Sequence, residues 1–147
     1  MTGLWRQWIW VWCAVTIALG LALAGAAVPA TDAGARFYYG LISGLDFGHS
    51  YFEAPGMRFT CSVLGAVLVG WGVTIIGYIR ASDAVGSQAW RMISLAMAIW
   101  FLVDSALSIA TGFPLNAAAN TVFLVTYLVP VLASGVLHRT PLRPAAA

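Results

Sequence analysis

The chain has 147 residues, a net charge of +2 and a mean hydropathy of +0.88, and only 8% of its residues are charged. A soluble domain carries about 25% charged residues, so this composition excludes a water-exposed surface of ordinary polarity. The positive charge is too small to imply nucleic acid as a partner, and we expect none. We therefore expect an integral membrane protein with a single domain over residues 1–147. All basic residues are arginine, which is typical of GC-rich bacterial genes and favours the bacterial inner membrane.

Four apolar segments are long enough to cross the hydrocarbon core, which takes about 20 helical residues. In lipid, only a helix satisfies the backbone polar groups within one segment, so the predicted fold is an all-α bundle of four transmembrane helices. The first segment could also be a signal peptide, but it is long and opens with tryptophans, and we expect a span. The predicted spans are residues 8–28, 59–79, 92–112 and 115–137.

The arginines indicate the orientation of these spans. Only Arg36 and Arg58 fall on one side of the membrane, beside the acidic residues of the long connection. The positive-inside rule then places both termini in the cytoplasm. The arginines on the predicted cytoplasmic side are Arg6, Arg80, Arg91, Arg139 and Arg143.

The predicted extracytoplasmic loop, residues 29–58, contains one amphipathic stretch. Phe37, Tyr38, Leu41 and Ile42 recur at helical spacing, and Asp32 is placed to cap the helix N-terminus. We expect a short helix on the membrane surface. A re-entrant segment or a lid over the bundle is the alternative.

The same loop carries a weak candidate for a metal site. Asp46, His49 and Glu53 would share one face of a helix and could ligate a metal there. Gly44 and Gly48 make that helix unfavourable. We expect ordinary solvated side chains, with no metal and no other cofactor.

Small residues mark a candidate contact face on the second span. Ser62, Ala66, Gly70 and Thr74 repeat at every fourth position. Such stripes let helix backbones approach closely in lipid. We expect packing inside the bundle, and the alternative is association with a partner membrane protein or a second copy of the chain.

Polar side chains interrupt the third and fourth spans. Asp104, Ser108 and Thr111 share one stripe, and Asn116 and Asn120 share a face of the next helix. Folding this hairpin about its proline predicts that Thr111 meets Asn116, that Ser108 meets Asn120, and that Asp104 reaches Asn120.

The carboxylate of this cluster must avoid lipid. An ionised aspartate at such a depth costs at least about 2.5 kcal/mol, so we expect Asp104 to point into the bundle. We also expect a hydroxyl or carbonyl of the second span, near Val67, beside it. One interpretation is a polar clamp that sets the helix register, and the other is a functional site that accepts a proton or opens as a pocket.

Three motifs carry a family resemblance. They are G-A-V-L-V-G-W-G within residues 61–74, W-F-L-V-D-S in the third span and N-A-A-A-N in the fourth. Over residues 50–135 the chain resembles a group of small, uncharacterised bacterial four-helix membrane proteins. The resemblance implies the same topology and assigns no activity.

We therefore expect a non-catalytic membrane protein that serves as an accessory or structural subunit, with a polar cluster centred on Asp104. The sequence shows no paired nucleophile and base, no metal cluster and no phosphate loop. A small transporter or proton-coupled carrier using Asp104 is the first alternative. A membrane-embedded enzyme is the second.

Overall fold

A computed structural model describes residues 1, 3–47 and 50–138, without the side chains of Pro55 and residues 82–85. Within these residues, all regular secondary structure is helical. Short 3-10 turns follow the first helix and the last one, at Gly25–Ala27, Pro29–Thr31 and Val136–His138. The α-helices are α1 (Gly3–Ala24), α2 (Ala33–Ile42), α3 (Pro55–Val85), α4 (Ser87–Ala110) and α5 (Pro114–Ala133).

Four of these helices, α1, α3, α4 and α5, are long and apolar enough to cross a membrane. Only 17–39% of their most apolar stretches is buried within the bundle. Most of their apolar surface therefore faces outward, which suits lipid and not water. The prediction of an all-helical chain with four long apolar helices is confirmed for the described residues.

Glycines set the ends of the last two spans. Gly86, with a φ of 70°, separates α3 from α4, and Gly112, with a φ of 87°, follows α4. Pro114 then opens α5, because its missing N–H is harmless in a first helical turn. Helix α5, the predicted fourth span, ends at Ala133 and not at residue 137, because Gly135 takes a φ of 66° and turns the chain.

The closest helix pair is α1 with α3. A Cβ atom added at Gly20 would lie 2.7 Å from the backbone oxygen of Gly65, so glycine is required there. The predicted stripe lies elsewhere: Ser62 is half-buried, and Ala66, Gly70 and Thr74 are exposed. The expectation that this stripe packs inside the bundle is therefore wrong. Glycines form the real contact because they allow a closer backbone approach than alanine or serine.

An aromatic cluster joins all four long helices. Trp12 of α1 lies 4.4 Å from Phe123 and 5.5 Å from Tyr127 of α5, measured between ring centroids. Trp71 of α3 and Trp100 of α4 stand 5.6 Å apart and complete the cluster. These rings fill the middle of the bundle. The α2 end of the bundle lies on one side of them, and the end where α1 begins and α5 ends lies on the other.

Two indole groups of α1 donate to backbone carbonyls of α5. The Trp12 Nε1 atom lies 3.2 Å from the Phe123 oxygen, and the Trp8 Nε1 atom lies 2.9 Å from the Thr126 oxygen. Pro130, inside α5, has no N–H to offer the Thr126 carbonyl four residues earlier. Trp8 therefore supplies a donor where the helix lacks one.

Candidate functional site

Charged residues fix α2 across one end of the bundle. The Asp32 carboxylate accepts from Arg36 at 2.9 Å and from Arg58, at the start of α3, at 3.0 Å. Arg58 also donates to the Ala26 carbonyl at 2.9 Å. The hydrogen bond from Arg36, followed by the bond from Arg58, holds the pKa of Asp32 below its ordinary value.

Asp32 occupies the predicted N-cap position of α2, but its side chain makes no capping hydrogen bond. The two carboxylate oxygens accept from the arginines instead, Oδ1 from Arg36 and Oδ2 from Arg58. The capping role expected of Asp32 is therefore wrong, although the helix begins where the sequence places it.

Asn116, the third residue of α5, bonds to side chains of two other helices. Its Nδ2 atom donates to the Ser108 hydroxyl at 2.8 Å and to Asp104 Oδ1 at 3.3 Å. Its Oδ1 atom accepts from the Tyr38 hydroxyl at 2.5 Å. One buried amide thus connects α2, α4 and α5.

The contacts differ from the predicted register by about one helical turn. Asn116 meets Ser108, and Asn120 donates to Ser105 at 3.3 Å, so the predicted pairings of Asn120 with Asp104 and Ser108 are wrong. The Thr111 hydroxyl bonds to the carbonyls of its own helix and not to Asn116. The cause is that residues 111–113 leave the helix, which moves the end of α4 closer to Asp104 than the sequence suggests.

Asp104 lies at the inner edge of this cluster and is half-buried. Its Oδ1 atom accepts from Asn116. The Ser108 hydroxyl lies 3.2 Å from Oδ1, but its shorter bond, at 2.7 Å, is to the backbone carbonyl of Asp104. Within the described residues, no basic side chain bonds to this carboxylate. No group of α3 near Val67 does so either, and Val67 itself is 60% exposed.

The carboxylate lines a cleft of about 300 Å³ at the α2 end of the bundle. The cleft separates α3 from α4, which meet again at the pair of Trp71 and Trp100. Tyr38 and Tyr39 of α2 line it from the loop side. The other lining residues are Ile42, Met57, Leu64, Leu107, Ser108, Thr111, Phe113 and Asn116.

Two apolar side chains that line the cleft are exposed. They are Leu64 of α3 and Leu107 of α4, with 47% and 59% of their surface exposed. These two side chains belong to the apolar outer surface of the four spans. The cleft is therefore open toward the apolar outer surface of the four long helices.

Two tyrosines of α2 keep their protons at any ordinary pH. Burial and, second, the negative charge of Asp104 raise the pKa of Tyr38 to about 12. Burial also raises the pKa of Tyr39 to about 12. The Tyr38 hydroxyl is therefore a constant hydrogen-bond donor to Asn116.

Sequence reasoning missed Tyr38 and Ser105 as members of the cluster. The helical pattern assigns Tyr38 to the amphipathic face of a surface helix, and only the position of α2 over α5 brings it to Asn116. Ser105 adjoins Asp104 in the sequence, and its buried orientation toward Asn120 is visible only with the true register.

The weak metal candidate is not assembled in the described part of the chain. Asp46 and Glu53 are exposed, and His49 lies outside the described residues. Among the residues described, no group of three His, Cys, Asp or Glu side chains is placed to hold a metal ion.

Comparison with models of known protein families, with characterised proteins and with solved structures finds no match for this chain. The family resemblance drawn from the sequence motifs therefore stays a prediction. A function for the chain must be inferred from the geometry of the cleft and of its polar cluster.

Proposed function

We propose that the chain is a non-catalytic multi-pass membrane protein that serves as an accessory or structural subunit. The observation that carries this is the buried Asn116 amide, which bonds at once to Tyr38, Ser108 and Asp104. In this proposal the polar cluster is a clamp that holds α2 against the α4–α5 hairpin. The bacterial inner membrane, with both termini in the cytoplasm, is the proposed setting.

The chemistry of the cluster favours binding over catalysis. Enzymes that use a side-chain nucleophile place it beside a base, and acid–base catalysis needs a group that can give and take a proton near the reacting atom. The described groups around Asp104 are an amide, hydroxyls and two phenols whose pKa values are raised to about 12. None of these neighbouring groups can give and take a proton near neutral pH.

A carrier that uses Asp104 is the second candidate, because this carboxylate lines a cleft and is not sealed in the core. The aromatic cluster argues against it, since Trp71 and Trp100 stand 5.6 Å apart and close the bundle beyond the cleft. A carrier predicts that Asp104→Asn stays folded but loses a pH-dependent flux in proteoliposomes. If the flux is unchanged in Asp104→Asn, or if the parent protein shows none, the carrier is excluded and the subunit proposal stands.

The outer face of α3 supports an accessory role. Ala66, Gly70 and Thr74 are exposed on this face. A Cβ atom added at Gly70 would meet no neighbouring atom within 4 Å. A second helix could approach this face closely, and it would belong to a partner membrane protein or to another copy of the chain. Purification in mild detergent tests the role: a stoichiometric partner or a dimer is expected, and recovery of a lone monomer contradicts it.

The clamp itself is tested by thermal unfolding in dodecyl maltoside. Asn116→Leu removes three hydrogen bonds and is expected to lower the free energy of unfolding by about 2–5 kcal/mol, at roughly 0.6–1.7 kcal/mol for each bond. Thr121→Leu is the matched control, because Thr121 is an exposed residue of the same helix. Equal stability of the two variants would refute the clamp.

A further inference from the structure

We propose that the lateral cleft binds the protonated amine of a lipophilic small molecule, with Asp104 as its counter-ion and the apolar body lying between Leu64 and Leu107. This goes beyond the clamp, which needs no ligand. The proposal joins three properties of the cleft: an uncompensated carboxylate, aromatic walls and a mouth on the apolar surface.

The charge of Asp104 has no counterpart among the described residues. The two arginines on the α2 side, Arg36 and Arg58, are both bound to Asp32. Asp104 lies six residues before the end of α4, or about 9 Å into the bundle along the helix axis. A carboxylate at such a depth is stabilised when a cation pairs with it, which selects a positively charged ligand.

Hydrogen bonding and aromatic rings around the carboxylate suit an ammonium group. The Asn116 amide donates to Oδ1 of Asp104, with the Ser108 hydroxyl 3.2 Å from the same oxygen, and these contacts hold the carboxylate in one position. No described group donates to its Oδ2 atom. Tyr38 and Tyr39 line the same space, and the faces of phenol rings attract cations.

Size and access select the rest of the ligand. A water molecule takes about 30 Å³ of the liquid, so a cleft of about 300 Å³ has the volume of about ten waters. A lysine side chain from a partner helix would leave much of this space empty. An amine with an alkyl body fills more of it, and the exposed mouth between Leu64 and Leu107 lets it enter from the membrane.

Octylammonium is the test ligand, and octanol is its uncharged control. We would follow thermal unfolding of the purified chain in phosphatidylcholine nanodiscs as each compound is added. A ligand that binds only the folded state raises the unfolding midpoint. We expect octylammonium at saturation to raise it by about 5 °C or more, and octanol to leave it unchanged.

Two variants assign the effect to the cleft. Asp104→Asn is expected to abolish the shift, whereas Glu53→Gln, which removes an exposed acid outside the cleft, retains it. Leu64→Trp, at the exposed mouth, is expected to block entry and keeps the test valid should Asp104→Asn fail to fold. The proposal is overturned by an equal shift with octanol, by a shift that survives in Asp104→Asn or Leu64→Trp, or by no shift in the parent chain. In the last case, a cationic side chain of a partner helix becomes the remaining counter-ion for Asp104.

Discussion

Trp8 and Pro130 should depend on each other energetically. The Trp8 indole donates at 2.9 Å to the Thr126 carbonyl, which lacks its usual helical donor because residue 130 is proline. Hydrogen bonds between membrane helices contribute about 0.6 kcal/mol on average and about 1.7 kcal/mol at most. A carbonyl without a donor in an apolar setting favours a hydrogen-bond energy near the maximum, whereas the 40% exposure of Trp8 favours one near the average. We expect Trp8→Phe to cost about 1 kcal/mol.

The test is a double-mutant cycle, with the free energy of unfolding measured by SDS titration in dodecyl maltoside. Pro130→Ala restores the N–H that α5 lacks, so the Thr126 carbonyl no longer depends on the indole. In that background we expect Trp8→Phe to cost less than about 0.5 kcal/mol. Trp10→Phe is the control: Trp10 packs against Arg80, so its cost should be the same in both backgrounds. An equal cost of Trp8→Phe with and without Pro130 would refute the reasoning.

Three further predictions concern other contacts. Gly65→Ala is expected to lower the free energy of unfolding by about 1–3 kcal/mol, because its Cβ meets the α1 backbone, whereas Gly70→Ala, on the open face, should be neutral or stabilising in the same SDS titration. The pKa of Asp32 in the folded chain is lowered below its ordinary value of 3.8. The ion pairs of Asp32 are therefore intact above pH 3.8 and are lost as the pH falls through the lower pKa of the folded state. Hydrogen exchange of α2 should therefore rise only in that acid range, and Asp32→Asn should make it fast at neutral pH. If the cluster is a clamp, Asp104→Asn should change the thermal midpoint by little, since an amide can also accept from Asn116, whereas Asp104→Leu should lower it.

The number of spans was predictable because it depends on apolar length alone. About 20 apolar residues must cross the hydrocarbon layer as helix, whatever their neighbours are, and the described chain has four such helices. The polar residues of the third and fourth spans were also visible, because carboxylates and amides are costly in lipid and therefore stand out.

The partners of those residues were not predictable, because they depend on small differences at helix ends. Helix α4 ends at Ala110 and not at residue 112, and this difference changes the partner of Asn116 from Thr111, as predicted, to Ser108. It was equally difficult to predict that Gly65, and not the stripe of Ser62, Ala66, Gly70 and Thr74, would contact α1. Both allow close packing, and only the presence of α1 at Gly65 shows which one is used.

The central claim is that Asn116 holds α2 to the hairpin through the Tyr38 hydroxyl. A double-mutant cycle with Tyr38→Phe and Asn116→Ala measures this bond directly, with the free energy of unfolding determined in dodecyl maltoside. The account predicts a coupling energy of about 0.6–1.7 kcal/mol between the two positions. Additive effects of the two substitutions, with no coupling, would contradict it.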